Sequence, residues 1–267
     1  MDRYRVQPGQ QVDLSKWDPA DKSEFDGTKK EAEQYLKTLR KRLAELQHLM
    51  WAEDRHKVLI VFQAMDTGGK DGTIRNVFSG VNPQGIDVVN FKAPTAEELD
   101  HDYLWRIHDH TPATGSLTVF NRSHYEDVLI VRVLNLVPED RWSRRYDHIN
   151  NFEGLLADEG TIILKFYLHI SLEEQAERLQ ARLDDETKHW KFNEGDLDHR
   201  ALWGDYMEAY GAALSKTSTA QAPWFIIPAN RKWYRNIVIT KTIVDTLEAL
   251  DMRYPEPEEG LDEVVIR

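Results

Sequence analysis

One apolar segment limits the folds available to this chain more than any other feature. Residues 57–63 read KVLIVFQ, a run of aliphatic and β-branched side chains that is too short for a helix. Such a run is typical of a strand that is buried on both faces of a parallel sheet. A glycine-containing turn and a helical segment follow it at once, as expected where a parallel sheet begins with a strand, a loop and a helix.

Strands and helices alternate along the rest of the chain. A capping box at 28–31, followed by apolar residues at three- and four-residue spacing, predicts a helix to about residue 52. Further strands are predicted at 86–91, 117–120, 161–169 and 224–227, and further helices at 95–108, 138–158, from 171 onward, at 199–216 and at 233–250. The five alternating units predict a three-layer α/β fold with a five-stranded parallel sheet, which binds ligands beyond the carboxyl ends of its strands.

Composition and charge favour one globular domain with a local site for an anion. We expect an N-terminal arm at 1–27, the main domain at 28–253 with a lid at about 178–203, and a C-terminal tail at 254–267. The formal charge of −12 argues against nucleic acid as a partner, so a polyanion would have to meet a locally basic cleft. The absence of cysteines, of a signal-like apolar stretch and of a membrane-length apolar run predicts a cytoplasmic protein with no membrane partner.

The loop after the first strand has the composition of a phosphate cradle. Residues 64–73 read AMDTGGKDGT, in which glycines let N–H groups point inward and Lys70 supplies a mobile charge. The segment departs from the P-loop pattern at Ala64, in place of the first glycine, and at Asp71, in place of the magnesium-binding hydroxyl. A glycine turn with a surface lysine is the alternative, and Asp66 could be a turn former. The predicted phosphate-binding residues are Thr67, Gly68, Gly69, Lys70, Asp71, Gly72, Thr73, Lys57 and Arg75.

A second polar segment follows the strand at 117–120. In P-loop proteins the strand beside the loop ends in an acidic residue that serves the metal, and here that position holds Asn121. Asp66 and Asn121 are therefore the predicted Mg²⁺ ligands, together with phosphate oxygens and water, although Asn121 could instead cap a helix. Arg122 is expected to face the crevice, where its fork suits phosphate oxygens. The predicted nucleotide-binding residues are Asn121, Arg122, Glu126, Asp127 and Lys191.

The charged stretch at 183–200 predicts a lid. Arg178 and Arg182 lie four residues apart, on one helix face, and Lys188 and Lys191 follow. This arrangement is typical of a segment that closes over phosphates and excludes water, with a solvated helix carrying Glu–Arg pairs as the alternative. The sequence does not rank the other basic residues that could follow a long anion, which are Arg55, Arg106, Arg132, Arg144, Arg145, Arg231, Lys232 and Arg235.

Four segments in this order resemble the polyphosphate kinase 2 family over about residues 28–250: AMDTGGKDGT, FNRSHYEDV, RLQARL with KHWKF, and PWFIIPANRKWYRN. With Asn121 and Glu126 in the second segment, the chain resembles the branch of this family that accepts both nucleoside mono- and diphosphates. The resemblance implies a thymidylate-kinase-like P-loop fold, inorganic polyphosphate as donor, AMP and ADP as acceptors, Mg²⁺ as cofactor and a homo-oligomer. The residues that it implies to be catalytic are Asp66, Lys70, Arg122, Arg178 and Arg182.

The implied reaction needs charge stabilisation more than proton transfer. The acceptor is a phosphate that is largely dianionic near neutral pH, so alignment and positive charge should dominate catalysis, and transfer between phosphoanhydrides should be reversible. One alternative is an ATP-dependent nucleoside monophosphate kinase of the same fold. Another is a non-catalytic polyphosphate- or nucleotide-binding regulator, which the departures at Ala64 and Asp71 would suit. The alternative that the sequence favours least is a switch protein that hydrolyses a nucleotide.

Overall fold

A parallel sheet forms the centre of the molecule. The computed structural model describes residues 1–260 and 264–266, and within them lies a five-stranded sheet. Its strands are β1 (Lys57–Gln63), β2 (Ile86–Asn90), β3 (Leu117–Asn121), β4 (Thr161–His169) and β5 (Trp224–Pro228). Their order is β2-β3-β1-β4-β5, with every neighbouring pair parallel. The predicted five-stranded parallel α/β fold is confirmed.

Helices cover both faces of this sheet. Within the described residues they are α1 (Lys29–Glu53), α2 (Lys70–Val77), α3 (Ala96–Asp100), α4 (Trp105–His108), α5 (Ile130–Val133), α6 (Glu139–Trp142), α7 (Arg145–Asp158), α8 (Leu172–Leu183), α9 (Gly195–Ala201), α10 (Trp203–Thr217) and α11 (Lys232–Glu248). Alternate residues of β1 enter different cores: Ile60 and Phe62 pack with α1, α2 and α11, whereas Leu59 and Val61 pack with α7 and α10. This alternation gives the three predicted layers.

The first helix and the first strand form where the local sequence predicts them. The Thr28 N–H donates to Glu31 Oε2 (2.7 Å) and the Glu31 N–H to Thr28 Oγ1 (3.3 Å), which completes the capping box of α1. The helix ends at Asp54, whose φ of 54° breaks the helical path. Because β1 is central in the sheet, its apolar run is buried on both faces.

Three predicted helices are interrupted in the structure. The helix at 95–108 is divided into α3 and α4, because Asp102 turns the chain by accepting a hydrogen bond from the Leu104 N–H (2.9 Å). The helix at 138–158 is divided into α6 and α7 by a turn, and the helix at 199–216 into α9 and α10 at Leu202. A short helix, α5, forms in a region where none was predicted.

The N-terminal arm packs against the edge of the sheet. The Val6 N–H donates to the Trp224 carbonyl (2.9 Å), and Arg5 forms an antiparallel bridge with Phe225. The arm therefore covers the exposed edge of β5. Of the predicted tail, residues 261–263 and 267 lie outside the described residues. Among the described helices, none has the length and apolar character needed to cross a bilayer.

Candidate active site

The glycine-rich loop joins the carboxyl end of β1 to the amino end of α2. Gly69 has a φ of 95° and Thr67 a φ of 63°, so the chain reverses sharply before α2 begins at Lys70. A side chain at Gly68 would lie 2.5 Å from the Ala64 Cβ, so the turn is too tight for any other residue there. The positive end of α2 and the loop amides therefore line one wall of a cleft.

Lys70 belongs to this cleft and is not a surface lysine. Its Nζ donates to the Ala64 carbonyl (3.0 Å), across the loop. Burial and the positive charge of Arg122 lower the pKa of Lys70, whereas the carboxylate of Asp66 opposes that shift. The ammonium is held where a phosphate cradled by the loop would meet it.

Asp66 connects the loop to two other parts of the chain. Its Oδ1 accepts from Arg122 Nη2 (2.9 Å), and its Oδ2 accepts from His199 Nδ1 (2.8 Å). Burial would raise the pKa of this carboxyl, but the His199 hydrogen bond and the charges of Lys70 and Arg122 outweigh burial and lower the pKa to about 2. Asp66 is therefore a carboxylate under all physiological conditions and has a structural role beyond forming a turn.

Arg122 follows β3 and enters the cleft, as the sequence predicts. It adopts a left-handed backbone conformation with a φ of 62°, and its N–H donates to the Phe62 carbonyl (3.2 Å). Glu126 lies 3.9 Å from its guanidinium and is the first cause of its raised pKa. This strained conformation aims the side chain from the end of β3 toward Asp66 in the loop that follows the neighbouring strand β1.

Asn121 does not cap a helix, because Ser123 caps the 3-10 helix His124–Val128. The Asn121 Nδ2 instead donates to Asp71 Oδ1 (2.7 Å) and to Asn90 Oδ1 (2.6 Å). It thus joins the ends of β2 and β3 to the first turn of α2. Only its carboxamide oxygen could serve a metal in the predicted way.

Arg178 holds the loop in place through hydrogen bonds to its backbone carbonyls. Its Nη1 donates to the carbonyls of Thr67 and Gly68 (both 3.1 Å), and its Nη2 to those of Ala229 (2.6 Å) and Asn230 (3.4 Å). Its Nε donates to Glu174 (2.7 Å), so all five N–H groups have acceptors. Arg178 is therefore not on a solvated helix face, and it fixes the loop to the segment after β5.

The predicted lid lies over the loop. Arg182 donates to the Lys191 carbonyl (3.3 Å) and to Asp196 Oδ2 (3.1 Å), which joins α8 to the 3-10 helix Glu186–Lys191 and to α9. The same α9 carries His199, the partner of Asp66. The stretch predicted as a lid thus contacts the loop through Asp66, a carboxylate that the family resemblance implies to be catalytic.

The cleft around the loop has a volume of about 900 Å³ and an excess of positive charge. Ten basic residues line it: Lys70, Arg75, Lys92, Arg122, Arg178, Arg182, Lys188, Lys191, Lys232 and Arg235. Three acidic residues line it: Asp66, Asp71 and Asp196. Because the whole chain carries a formal charge of −12, this local excess marks a site for an anion.

Two predicted phosphate ligands need correction. Lys57 is the first residue of β1, so it lies roughly 20 Å along the strand from the loop, at the amino ends of the strands. Thr73 is buried, and its Oγ1 donates to the Gly69 carbonyl (2.9 Å) rather than facing the cleft. The other residues of the predicted phosphate set line the cleft.

A second crevice of about 460 Å³ lies beyond the ends of β2 and β3, and Asp127 lines it. Burial raises the pKa of Asp127 to about 6, although Arg145 (2.7 Å) and Arg106 oppose the shift. The Arg106 Nη1 donates to the carbonyl of Lys92, a residue of the main cleft (2.9 Å). Of the predicted nucleotide-binding residues, Asn121, Arg122 and Lys191 line the main cleft and Asp127 lines the second crevice. Glu126 lines neither crevice and is placed by its contact with Arg122.

The donor set suits a magnesium ion that is shared with a ligand. Within the described part of the chain, no group of three or more His, Cys, Asp or Glu side chains is arranged to hold a metal. Asp66 and Asp71 supply carboxylates at the loop, and Mg²⁺ is commonly bound by one or two carboxylates together with phosphate oxygens and water. The residues present therefore fit Mg²⁺ that arrives with its phosphate.

His199 and Gln175 are site residues that the sequence did not reveal. Gln175 is buried and donates to the Asp66 carbonyl (3.1 Å), while His199 donates to the Asp66 carboxylate. Neither belongs to a loop or strand-end motif, and both approach Asp66 from elements more than 100 residues away in the chain. Local pattern gives no signal for such contacts.

Comparisons with known proteins show the family of this chain. The model of the polyphosphate kinase 2 (PPK2) family matches residues 26–255. An AMP/ADP-polyphosphate phosphotransferase from Meiothermus ruber is 57% identical over 100% of both chains, and an ADP-polyphosphate phosphotransferase from Rhodopseudomonas palustris is 46% identical over 95% of this chain and 92% of the relative. The crystal structure of polyphosphate kinase 2 from Arthrobacter aurescens superposes with a TM-score of 0.94 and 44% identity, covering 98% of this chain and 93% of the other. The chain belongs to the polyphosphate kinase 2 family.

Proposed function

We propose that this protein transfers the terminal phosphoryl group of inorganic polyphosphate to AMP and to ADP, forming ADP and ATP. The observation that carries the proposal is the surplus of basic over acidic residues around the loop of a chain that is acidic as a whole. A cleft of this kind suits a substrate with many negative charges. The names of the relatives from Meiothermus ruber and Rhodopseudomonas palustris support the choice of donor and acceptors.

Positive charge around the transferring group is the main contribution of the protein. Lys70 and Arg122 reach the loop from α2 and from β3, so a phosphoryl group between donor and acceptor would meet a cation from each side. These cations offset the repulsion between two anions and stabilise charge in the transition state. This placement supports catalytic roles for Lys70 and Arg122 in the proposed reaction.

Mg²⁺, when bound, would neutralise phosphate charge and hold the phosphate oxygens in line. Asp66 would hold it, with Asp71 and the Asn121 oxygen nearby, because Asp66 is ionised and lies at the loop. Arg122 and His199 orient this carboxylate through its two oxygens. Proton transfer by Asp66 is secondary, since its low pKa makes it a weak base.

The two sides of the cleft are formed by different elements of the fold. Residues of the β2 and β3 ends, including Phe91 and Arg122, form one side of the cleft and adjoin the crevice at Asp127. Residues of α8 and α11 form the other side. We place the acceptor nucleotide on the β2–β3 side, with Glu126 and Asp127 near it, and the donor polyphosphate on the side of α8 and α11.

The segment at about 178–203 acts as a lid in this proposal. His199 on α9 contacts Asp66, and Arg182 connects α9 to α8, so closing the segment completes the surroundings of the loop. A closed lid excludes water, which would otherwise accept the phosphoryl group. Lys188 and Lys191 would then face the polyanion from the lid side.

A coupled assay tests the proposed function. AMP, ADP, GMP and GDP are each supplied with long-chain polyphosphate and Mg²⁺, to wild-type protein and to the Asp66→Asn variant. We expect product from AMP and ADP with the wild type and a large loss with the variant. Product that forms only when ATP replaces polyphosphate would instead identify an ATP-dependent nucleotide kinase, and binding without any transfer would identify a regulator.

The same preparation tests two smaller proposals, which concern reversibility and oligomeric state. Because one phosphoanhydride replaces another, we propose that the reaction is reversible, and the absence of chain growth from ATP at every nucleotide ratio would contradict this. We also propose a homo-oligomer in the cytoplasm, as composition and family resemblance predict. Light scattering during size-exclusion chromatography measures the mass, which should exceed the 31.2 kDa of one chain.

A further inference from the structure

One buried cation of the cleft has an unused donor. Arg235 on α11 is 3% exposed, and its Nε and Nη2 both donate to the side-chain oxygen of Asn236 (3.1 Å each). Its Nη1 is buried and has no hydrogen-bond partner among the residues that the structure describes. A buried unpaired donor on a charged group is costly, so its retention needs an explanation.

The unused donor points at the loop. A Cβ placed on Gly69 would collide with Arg235 Nη1, so the guanidinium lies directly against the backbone at the amino end of α2. The same Cβ would lie 3.6 Å from Arg178 Nη1, which puts a second guanidinium beside Gly69. Lys232, one turn earlier on α11, lines the same part of the cleft. Three cations thus converge on the side of the loop away from β3.

The two arginines differ in how their charges are balanced. Arg178 has the carboxylate of Glu174 at 2.7 Å, whereas Arg235 forms no ion pair within the described residues. Burial, and then the charge of Arg178, lower the pKa of Arg235 to about 9. Burial and the same two arginines also lower the pKa of Lys232. These neighbouring cations therefore repel one another, and a bound anion would relieve that repulsion.

We propose that Arg235 binds a non-transferred phosphate of the donor polyphosphate, through its Nη1, on the α8–α11 side of the loop. The inference rests on the proposed function and adds to it the residue that holds the donor chain away from the reacting group. The proposal also gives Arg235 a different role from that of Arg178, whose N–H groups all have acceptors within the protein. The site takes an inorganic phosphate chain rather than a nucleotide, because it lies opposite the β2–β3 side.

The variant Arg235→Met distinguishes a ligand-binding role from a structural one. Removing an uncompensated buried charge should leave the ligand-free protein at least as stable as the wild type. We expect the KM for polyphosphate to rise about tenfold or more, because a charge-assisted hydrogen bond to phosphate is lost, while the KM for AMP stays near its wild-type value. A structural residue would lower the stability and raise both KM values together.

Binding of inorganic tripolyphosphate, without nucleotide, is measured by calorimetry and by the rise in Tm. Arg235→Met should bind tripolyphosphate at least tenfold more weakly than the wild type. The affinity of Arg235→Lys, which keeps the charge but loses the planar fork of donors, should lie between those of the wild type and Arg235→Met. The control is Lys241→Met, which removes a positive charge from the same helix at an exposed pair with Asp245 and should bind normally.

Two outcomes would overturn the proposal. One is tripolyphosphate affinity that is unchanged in Arg235→Met. The other is a ligand-free variant that unfolds at a lower temperature or fails to fold, since the proposal gives Arg235 no part in ligand-free stability. Because calorimetry reports binding without turnover, a protein that binds tripolyphosphate through Arg235 but transfers no phosphoryl group would contradict only the proposed function.

Discussion

Two groups of buried charges in this molecule are built on different principles. Between the sheet and α7, Lys165 donates to the Tyr125 hydroxyl (2.8 Å), to the Thr217 carbonyl (2.7 Å) and to Glu153, which uses all three of its N–H groups. In the cleft, basic residues outnumber acidic ones and Arg235 keeps an unused donor. One group is neutralised within the protein, and the other is left positive.

The difference shows how to separate structural from functional charges. The two charges of a buried pair such as Glu153 and Lys165 neutralise each other, and the pair contributes to a defined fold without needing a ligand. An excess of one sign within a cleft costs free energy until a ligand of opposite sign arrives. The composition of the chain does not reveal this, because both groups contain the same residue types.

Breaking the neutralised pair should have the largest effect on stability. Lys165→Met leaves the Glu153 carboxylate buried without its cation, and we expect a loss of about 3–5 kcal/mol in the free energy of unfolding. Chemical denaturation monitored by tryptophan fluorescence measures the loss. The double variant Lys165→Met with Glu153→Leu is the control and should recover most of it. A single variant as stable as the wild type would show that the pair is not tightly coupled.

Breaking the unbalanced group should instead lower activity. Lys70→Ala or Arg122→Ala removes a charge that acts on the transferring group, and we expect turnover to fall by about 10²–10³, or roughly 3–4 kcal/mol in transition-state stabilisation. Steady-state kinetics with polyphosphate and ADP give the rates, and circular dichroism checks the fold. Near-normal turnover in a folded variant would remove that residue from the catalytic set.

Binding of a polyphosphate anion should stabilise the wild type. With tripolyphosphate at one hundred times its Kd, linkage predicts a gain of about 2.7 kcal/mol in the free energy of unfolding. Denaturation with and without the anion measures the gain, and sodium chloride at equal ionic strength is the control. An equal effect of the two salts would mean that the cleft has no specific preference for a phosphate chain.

The smallest expected effect comes from pH. The hydrogen bond to Asp66 raises the pKa of His199 in the folded protein, so the stability that this pair contributes is complete below the unfolded pKa of about 6.5. It is lost as pH rises through the folded pKa, and because the pair is partly exposed we expect about 1 kcal/mol or less. Denaturation across this range, compared with His199→Gln, measures it, and identical pH profiles would exclude the pair as the cause.

Features that depend on neighbouring residues were predicted well from the sequence. The Thr28 capping box, the buried strand at 57–63 and the glycine-rich loop each follow from a short segment, and the strand order brought Arg122 beside the loop as expected. The contact of His199 with Asp66 and the contacts of Arg178 with the loop were not predicted. These contacts join segments separated by more than 100 residues, and the same arginine pattern suits both a solvated helix and a buried side chain that holds the loop. Lys57 was misassigned because its charge was considered without its position on the strand.

The measurement that tests the central claim most directly is the salt dependence of polyphosphate affinity. If the surplus cations of the cleft bind the donor, its Kd at neutral pH should increase more than tenfold between about 50 and 200 mM salt, as it does when other polyanions bind to several basic residues. Removing Lys70 and Arg122 together should make that dependence shallower. A Kd that does not change with salt, or that is the same in this double variant, would contradict the account.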